Sequence, residues 1–150
     1  MADPAPARRL ADRYVLGEPL GASAASVVLR ARDEQSGRTV AVKLRQPGAP
    51  AGSLLAAAEV ARRLTHPGIV RVLDAGRDGD DEYLVMEAVE GDTLAGLRGA
   101  PWQEVVAAVT QVAEALQFAH TVGVVHRDLK AANVLRDRNG RVRVTDFAVA

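Results

Sequence analysis

Cysteine is absent from this chain of 150 residues, which excludes disulfides and cysteine-based zinc sites. Its absence fits a reducing, cytoplasmic compartment. Aromatic residues make up only 3%, too few for the stacking surface of a nucleic-acid binder. Net charge is missing as well: 19 basic residues balance 19 acidic ones, so no field points to a nucleic acid or an anionic membrane. No run approaches the roughly 18 to 20 apolar residues of a membrane helix. Arg8 and Arg9 precede no apolar stretch of the kind a secretion signal carries. A soluble protein with no membrane segment and no nucleic-acid partner is expected. The last scarcity is lysine. Against 17 arginines stand only Lys43 and Lys130, and arginine cannot replace lysine where a compact point charge is required.

What is present suits one compact domain, since 48% of the residues are apolar. Residues 1–12 are rich in Pro and Ala and read as a flexible N-terminal arm. Tyr14 to Leu20, Val27 to Arg32 and Thr39 to Leu44 read as antiparallel strands, with a hairpin at Asp33 to Gly37. Ser53 is a fair N-cap for a helix running to about Leu64. Two more strands follow at Ile69 to Leu73 and Tyr83 to Glu87, around an acidic stretch, Asp78 to Glu82, that reads as a solvated hairpin tip. Asp92 caps a short helix closed by Gly99, and Pro101 opens a long one with Val105, Val109, Val112 and Leu116 on one face. Val134-Leu135 and Arg141 to Thr145 form a final hairpin around Asn139-Gly140. The class is α+β: five strands with one inserted helix, then helices, then a hairpin.

The most specific string is His126-Arg127-Asp128-Leu129-Lys130-Ala131-Ala132-Asn133. It matches the pattern H-R-D-L-K-x-x-N at every defined position, and the chain therefore resembles the bacterial relatives of eukaryotic Ser/Thr protein kinases. The resemblance spans about residues 14–149. It implies a protein-kinase-like N-lobe (residues 13–87), a hinge (87–91) and part of a C-lobe (92–150), using ATP and Mg²⁺. Phosphoryl transfer needs positioning and charge neutralisation more than covalent help. By the match, Asp128 meets the acceptor hydroxyl, Lys130 lies near the transferred phosphate, Asn133 ligates Mg²⁺ and His126 is structural. Asp146-Phe147-Ala148 stands where the family has Asp-Phe-Gly, so Asp146 is a second metal ligand.

Other stretches extend the resemblance. Val40-Ala41-Val42-Lys43 matches the third-strand motif, which gives Lys43 the α- and β-phosphates and Ala41 the adenine ceiling. Tyr83 to Gly91 resembles the last N-lobe strand and hinge, with Met86 as gatekeeper and the backbone of Glu87 and Val89 on the adenine edge. Leu20-Gly21-Ala22-Ser23-Ala24-Ala25-Ser26-Val27-Val28 aligns with the glycine-rich phosphate loop. Ser23 and Ser26 replace two of its glycines, and their side chains restrict how closely the loop approaches a phosphate.

A further departure concerns the inserted helix. The family places a Glu nine residues before the His of the His-Pro turn, where this chain has Ala57. Glu59 lies two positions on, about 200° around a helix. Either Glu59 reaches Lys43 by a local distortion, or Lys43 lacks this partner. His66 and His120, at helix ends, read as capping or packing residues.

The matched stretch is about half of a family domain, whose remaining helices would cover the long one. A face of that helix is thus expected to stay open for self-association or a regulatory partner. Three readings stand: a kinase acting on protein Ser or Thr, a truncated pseudokinase that binds nucleotide, and an interaction module with no nucleotide. Robust turnover by these 150 residues alone is not expected.

Overall fold

A computed structural model describes residues 6–147. Its contacts gather into two compact units, Met1–Leu55 with Leu73–Ala88, and Ala56–Val72 with Val89–Ala150.

The first unit is built on period-two alternation. Strands β1 (Arg9–Leu10), β2 (Tyr14–Ala22), β3 (Ser26–Asp33) and β4 (Thr39–Arg45) are followed by the start of helix α1 (Ser53–Ala61), whose residues from Ala56 on group with the second unit, then by β5 (Val72–Asp78) and β6 (Asp81–Glu87). They form a six-stranded sheet in the order β1-β2-β3-β4-β6-β5. One face carries Val40, Val42, Leu44, Tyr83 and Val85 into an apolar cluster with Leu10, Tyr14, Leu16 and Ala31. The other residues of the same strands therefore line the opposite face.

The sheet has one strand more than the five expected. Arg9 and Leu10, read from sequence as part of a mobile arm, pair with Val15 and Tyr14. The reason is a tight turn: Ala11 and Asp12 both take left-handed φ values of 52° and 50°, and the Arg13 N–H bonds the Leu10 carbonyl at 3.1 Å. Leu10 is then fully buried. Arg13 clamps both oxygens of Asp33 at 2.8 and 3.0 Å, and Ser36 and the Gln35 N–H add two more bonds to that carboxylate. The Arg13 guanidinium, outweighing burial, holds the Asp33 pKa well below its ordinary value. Burial and a bond to Asp74 push the Tyr14 hydroxyl up, so it stays a donor.

Several boundaries move, two of them for a visible reason. β5 starts at Val72 rather than Ile69, because Ile69 forms a parallel bridge to Val144 and Val70 donates to the Val144 carbonyl, both within the second unit. Helix α1 ends at Ala61 rather than about Leu64, where Arg63 and Leu64 tighten into three-residue turns.

The second unit holds strand β7 (Gly91–Thr93), a 3-10 turn (Leu94–Leu97), helix α2 (Trp102–Thr121), a second 3-10 turn (Ala131–Asn133) and strands β8 (Val134–Asp137) and β9 (Val142–Val144), sheet order β7-β8-β9. Asp92 thus sits in a strand; it bonds the Thr93 N–H instead of capping a helix. Gly91 is required, since a Cβ there would lie 1.9 Å from the Arg136 carbonyl oxygen. Helix α2 follows Pro101 as expected, but it buries Ala108, Val112, Ala115 and Ala119. Val105 and Val109, grouped by sequence on one face with Val112 and Leu116, are 38% and 55% exposed, while Val112 is buried. Small residues let the helix approach β9 closely. Gln111 completes this packing, bonding the Gly140 carbonyl at 3.1 Å and accepting from the Val142 N–H at 2.9 Å. Among the described residues no helix is long and apolar enough to cross a membrane.

Candidate active site

In the first unit, pairing fixes which candidates share a surface. Lys43 stands opposite both Val28 and Leu84, and Ala41 opposite Arg30 and Met86. Directly paired residues, and those two apart, point to the same side of a sheet. Val28, Ala41, Lys43 and Met86 therefore lie together on the face turned away from the apolar cluster. Lys43, Ala41 and Met86 are 6%, 6% and 8% exposed, so this is a sheltered surface with one buried ammonium.

The β2–β3 connection, with Leu20, Gly21 and Ala22 on one side and Ala24 and Ala25 in the turn, is closed by Ser23. Its backbone N–H donates to the Ser26 carbonyl at 2.8 Å. Its hydroxyl oxygen accepts the N–H groups of Ala25 and Ser26 at 3.3 and 3.2 Å. A serine in place of glycine has become the side chain that fixes the turn. Ser26 opens β3 and is buried.

On α1, Ala57 is buried at 3% exposure. Glu59 is exposed and bonded to Arg62 on its own helix at 2.5 Å. The acidic tip is not wholly solvated either: Glu82 is 2% exposed, and nothing local in the sequence separated it from Asp80 or Asp81.

In the second unit the loop after α2 is organised around two buried polar side chains, His126 and Asn133. His126 has its Nε2 2.7 Å from the Thr145 carbonyl and accepts the Asp128 N–H at Nδ1, 3.1 Å away. These bonds select the neutral tautomer with the proton on Nε2. The ring also packs on Phe147, centroids 4.6 Å apart. The Asn133 Nδ2 donates to the Asp128 carbonyl at 2.8 Å, and the Asn133 carbonyl accepts the Thr145 N–H at 2.9 Å.

Asp128, Asn133 and the Thr145–Asp146 step are thus tied into one hydrogen-bonded frame. Arg127 and Asp146 adopt left-handed φ values of 75° and 63°, strain that the frame sustains. The Asp128 carboxylate faces solvent, with the Lys130 ammonium 3.3 Å away. Ala148 lies outside the described residues. The contribution of the Thr145 carbonyl was invisible in sequence, because a backbone acceptor carries no residue signature.

The donors fit a hard divalent cation. Asp146 offers a carboxylate, and Asn133, its amide nitrogen already used, offers the carbonyl oxygen. Among the described residues no three His, Cys, Asp or Glu side chains cluster to hold a metal. A cation here would need phosphate oxygens as further ligands, the usual situation for Mg²⁺. His66 packs, as read from sequence: it accepts the Gly68 N–H and stacks on Phe118.

Comparison with known proteins points the same way. The family described as "Protein kinase domain" matches residues 14–150. The chain is 41% identical over 157 aligned residues to a Streptomyces coelicolor protein named "Probable serine/threonine-protein kinase SCO3848", covering 95% of this chain and 23% of that protein. It is 39% identical to the serine/threonine-protein kinase PknB of Mycolicibacterium smegmatis, covering 95% of this chain and 25% of the relative. The chain thus spans about a quarter of the length of these relatives. Among solved structures, the Mycobacterium tuberculosis PknI kinase domain superposes with a TM-score of 0.80 at 31% identity, over 99% of this chain and 64% of that one. Rad53 in complex with AMP-PNP gives a TM-score of 0.80 at 28% identity, over 92% of this chain and 39% of that one.

Proposed function

Because the chain belongs to the protein kinase domain family, we propose that it is the nucleotide-binding and catalytic-loop portion of an enzyme that moves the γ-phosphate of ATP to a protein Ser or Thr. The observation that carries this reading is the bond from the Asn133 amide to the Asp128 main chain. It holds a solvent-facing carboxylate and the side-chain oxygen of Asn133, the proposed metal ligand, on one frame. Residues 13–87 serve as the N-lobe, 87–91 as the hinge and 92–150 as the start of the C-lobe. The division of contacts near Ala88 supports the hinge, while Ala56–Val72 group with the second unit.

Each side chain then has a task. Lys43 pairs with the α- and β-phosphates, while Val28, Ala41 and Met86 form the apolar surface for adenine, with the backbone of Glu87 and Val89 at its edge. Asp128 orients the acceptor hydroxyl and takes its proton as the oxygen attacks phosphorus. Lys130, beside it, offsets the charge of the transferred group. Asn133 and Asp146 hold Mg²⁺, which neutralises phosphate charge when bound. The Leu20–Val28 segment covers the phosphates through its backbone N–H groups. Its turn is held by Ser23 instead of being free to flex. A cysteine-free chain that uses ATP fits the cytoplasm.

A second reading, nucleotide binding without robust turnover, is favoured by the apolar Ala57 where the family carries its helix carboxylate. The exposed Trp102, Val106 and Val109 of α2 support self-association or a regulatory protein partner. Incubation with labelled ATP, Mg²⁺ and a basic protein acceptor tests the main reading. Transfer that disappears in Asp128→Asn supports it; Mg-ATP binding without transfer selects the second reading; no binding at all overturns both.

A further inference from the structure

With alanine at position 57, α1 lacks the carboxylate that the family carries there. The structure supplies another carboxylate, from another element. Glu82 of β6 is 2% exposed. One of its oxygens accepts the Gly52 N–H at 2.6 Å; the other accepts the N–H groups of Leu54 and Leu55 at 2.8 and 3.2 Å. These are N–H groups at the entry to α1 and in its first turn, which a helix cannot satisfy by itself. Negative charge is also favoured there by the helix dipole. Two guanidinium groups flank the carboxylate, with Arg45 of β4 at 3.6 Å and Arg77 of β5 at 3.9 Å.

Strand register connects this anchor to Lys43. Lys43 pairs with Leu84, two residues along β6 from Glu82, and Leu44 pairs with Tyr83. Glu82 and Leu84 therefore point to one face of the sheet, as do Arg45 and Lys43. The carboxylate that grips the start of α1 and the ammonium assigned to the phosphates stand on the same surface, two residue pairs apart along the strands with Leu44–Tyr83 between them.

We propose that Glu82 is a positioning residue for nucleotide binding: it fastens the start of α1 to the sheet face of Lys43 and thereby fixes the setting in which Lys43 meets the phosphates. The proposal rests on the nucleotide reading above. It assigns to a β6 carboxylate a seating role that the sequence leaves vacant on α1.

Titration of the 150-residue chain with Mg-ATP, followed by intrinsic Trp102 fluorescence or calorimetry, tests it. Glu82→Gln keeps the side-chain shape but removes the charge and one acceptor oxygen. It is expected to weaken Mg-ATP binding about tenfold, within the coupling range of residues that share one network. The loss should largely vanish when Lys43 is already alanine. An equal loss in both backgrounds, or no loss, overturns the positioning role and leaves nucleotide binding standing. Failure of the unsubstituted chain to bind Mg-ATP overturns both.

Because coupling is reciprocal, a second measurement needs no variant. Mg-ATP should slow amide hydrogen exchange at Gly52, Leu54 and Leu55 in the unsubstituted chain, while leaving the remote Asp33–Gly37 hairpin unchanged. Unaltered exchange at the three anchor amides in the ATP-bound chain sinks the proposal even if Glu82→Gln does not fold.

Discussion

The side-chain amide of Asn133 donates to the main-chain carbonyl of Asp128 across 2.8 Å, and this bond ties together two residues five apart in sequence. Asn133 is buried, so its remaining oxygen is held in a defined direction while the Asp128 carboxylate stays in solvent.

Removing that bond should damage both folding and binding. Asn133→Ala leaves the Asp128 carbonyl without this donor and opens a small void, a combination that costs about 1 to 3 kcal/mol. Chemical denaturation should show that loss. Mg²⁺-dependent ATP binding should fall further than the stability change explains, since the proposed metal ligand goes as well.

Asp128→Asn has a different signature. The residue is solvent-facing and contributes its fixed bonds through the backbone, so thermal stability and Mg-ATP affinity should change little. Any phosphate transfer should fall by roughly 10²- to 10⁴-fold, the range for losing a positioned general base. A large drop in melting temperature would show that the side chain is structural instead.

Acid should loosen the first unit before neutral pH does. Two buried carboxylates have depressed pKa values, Asp33 through Arg13 and Glu82 because bonds from Gly52, Leu55 and Leu54 outweigh the upward push of burial. A group with a lowered folded pKa stabilises fully above its unfolded value and loses that contribution as pH falls through the folded one. Melting temperature should therefore hold from pH 7 to about 5 and decline below about 4, the ordinary range for carboxyl groups. The decline should be shallower in Asp33→Asn, measured from its own neutral-pH value.

The two faces of α2 should respond oppositely to substitution. Ala115→Leu puts three extra carbons into a fully buried position and should cost about 1 to 3 kcal/mol by overpacking. Val106→Lys lies on the exposed face and should leave stability within about 0.5 kcal/mol. It should also lower self-association in sedimentation velocity; unchanged association would remove this face as an interface.

Much of the candidate site was legible before any coordinates. The eight-residue string from His126 to Asn133, the two lysines and Asp146 are all named from residue type and spacing alone, and the structure adds the hydrogen bonds that hold His126 and Asn133. Glu82 was not legible. A carboxylate among Asp78, Asp80 and Asp81 looks like a solvated tip, and only the fold shows that its turn along β6 aims inward at the N–H groups of residues thirty positions earlier. Nor was the alanine face of α2, because hydrophobic spacing gives the period of a helix but not which of two adjacent stripes meets a neighbour.

By itself, then, the sequence determined the strand alternation, the order of the main elements and the residue string proposed as the catalytic loop, all of which depend on side-chain type and on spacing along a short stretch. Tertiary structure decided what depends on partners distant in the chain: the pairing of Arg9 and Leu10, the anchoring of α1 by Glu82, and the holding of His126 and Asn133 by Thr145. A buried polar group takes its role from whichever donor or acceptor folding brings to it, and local pattern does not encode that meeting.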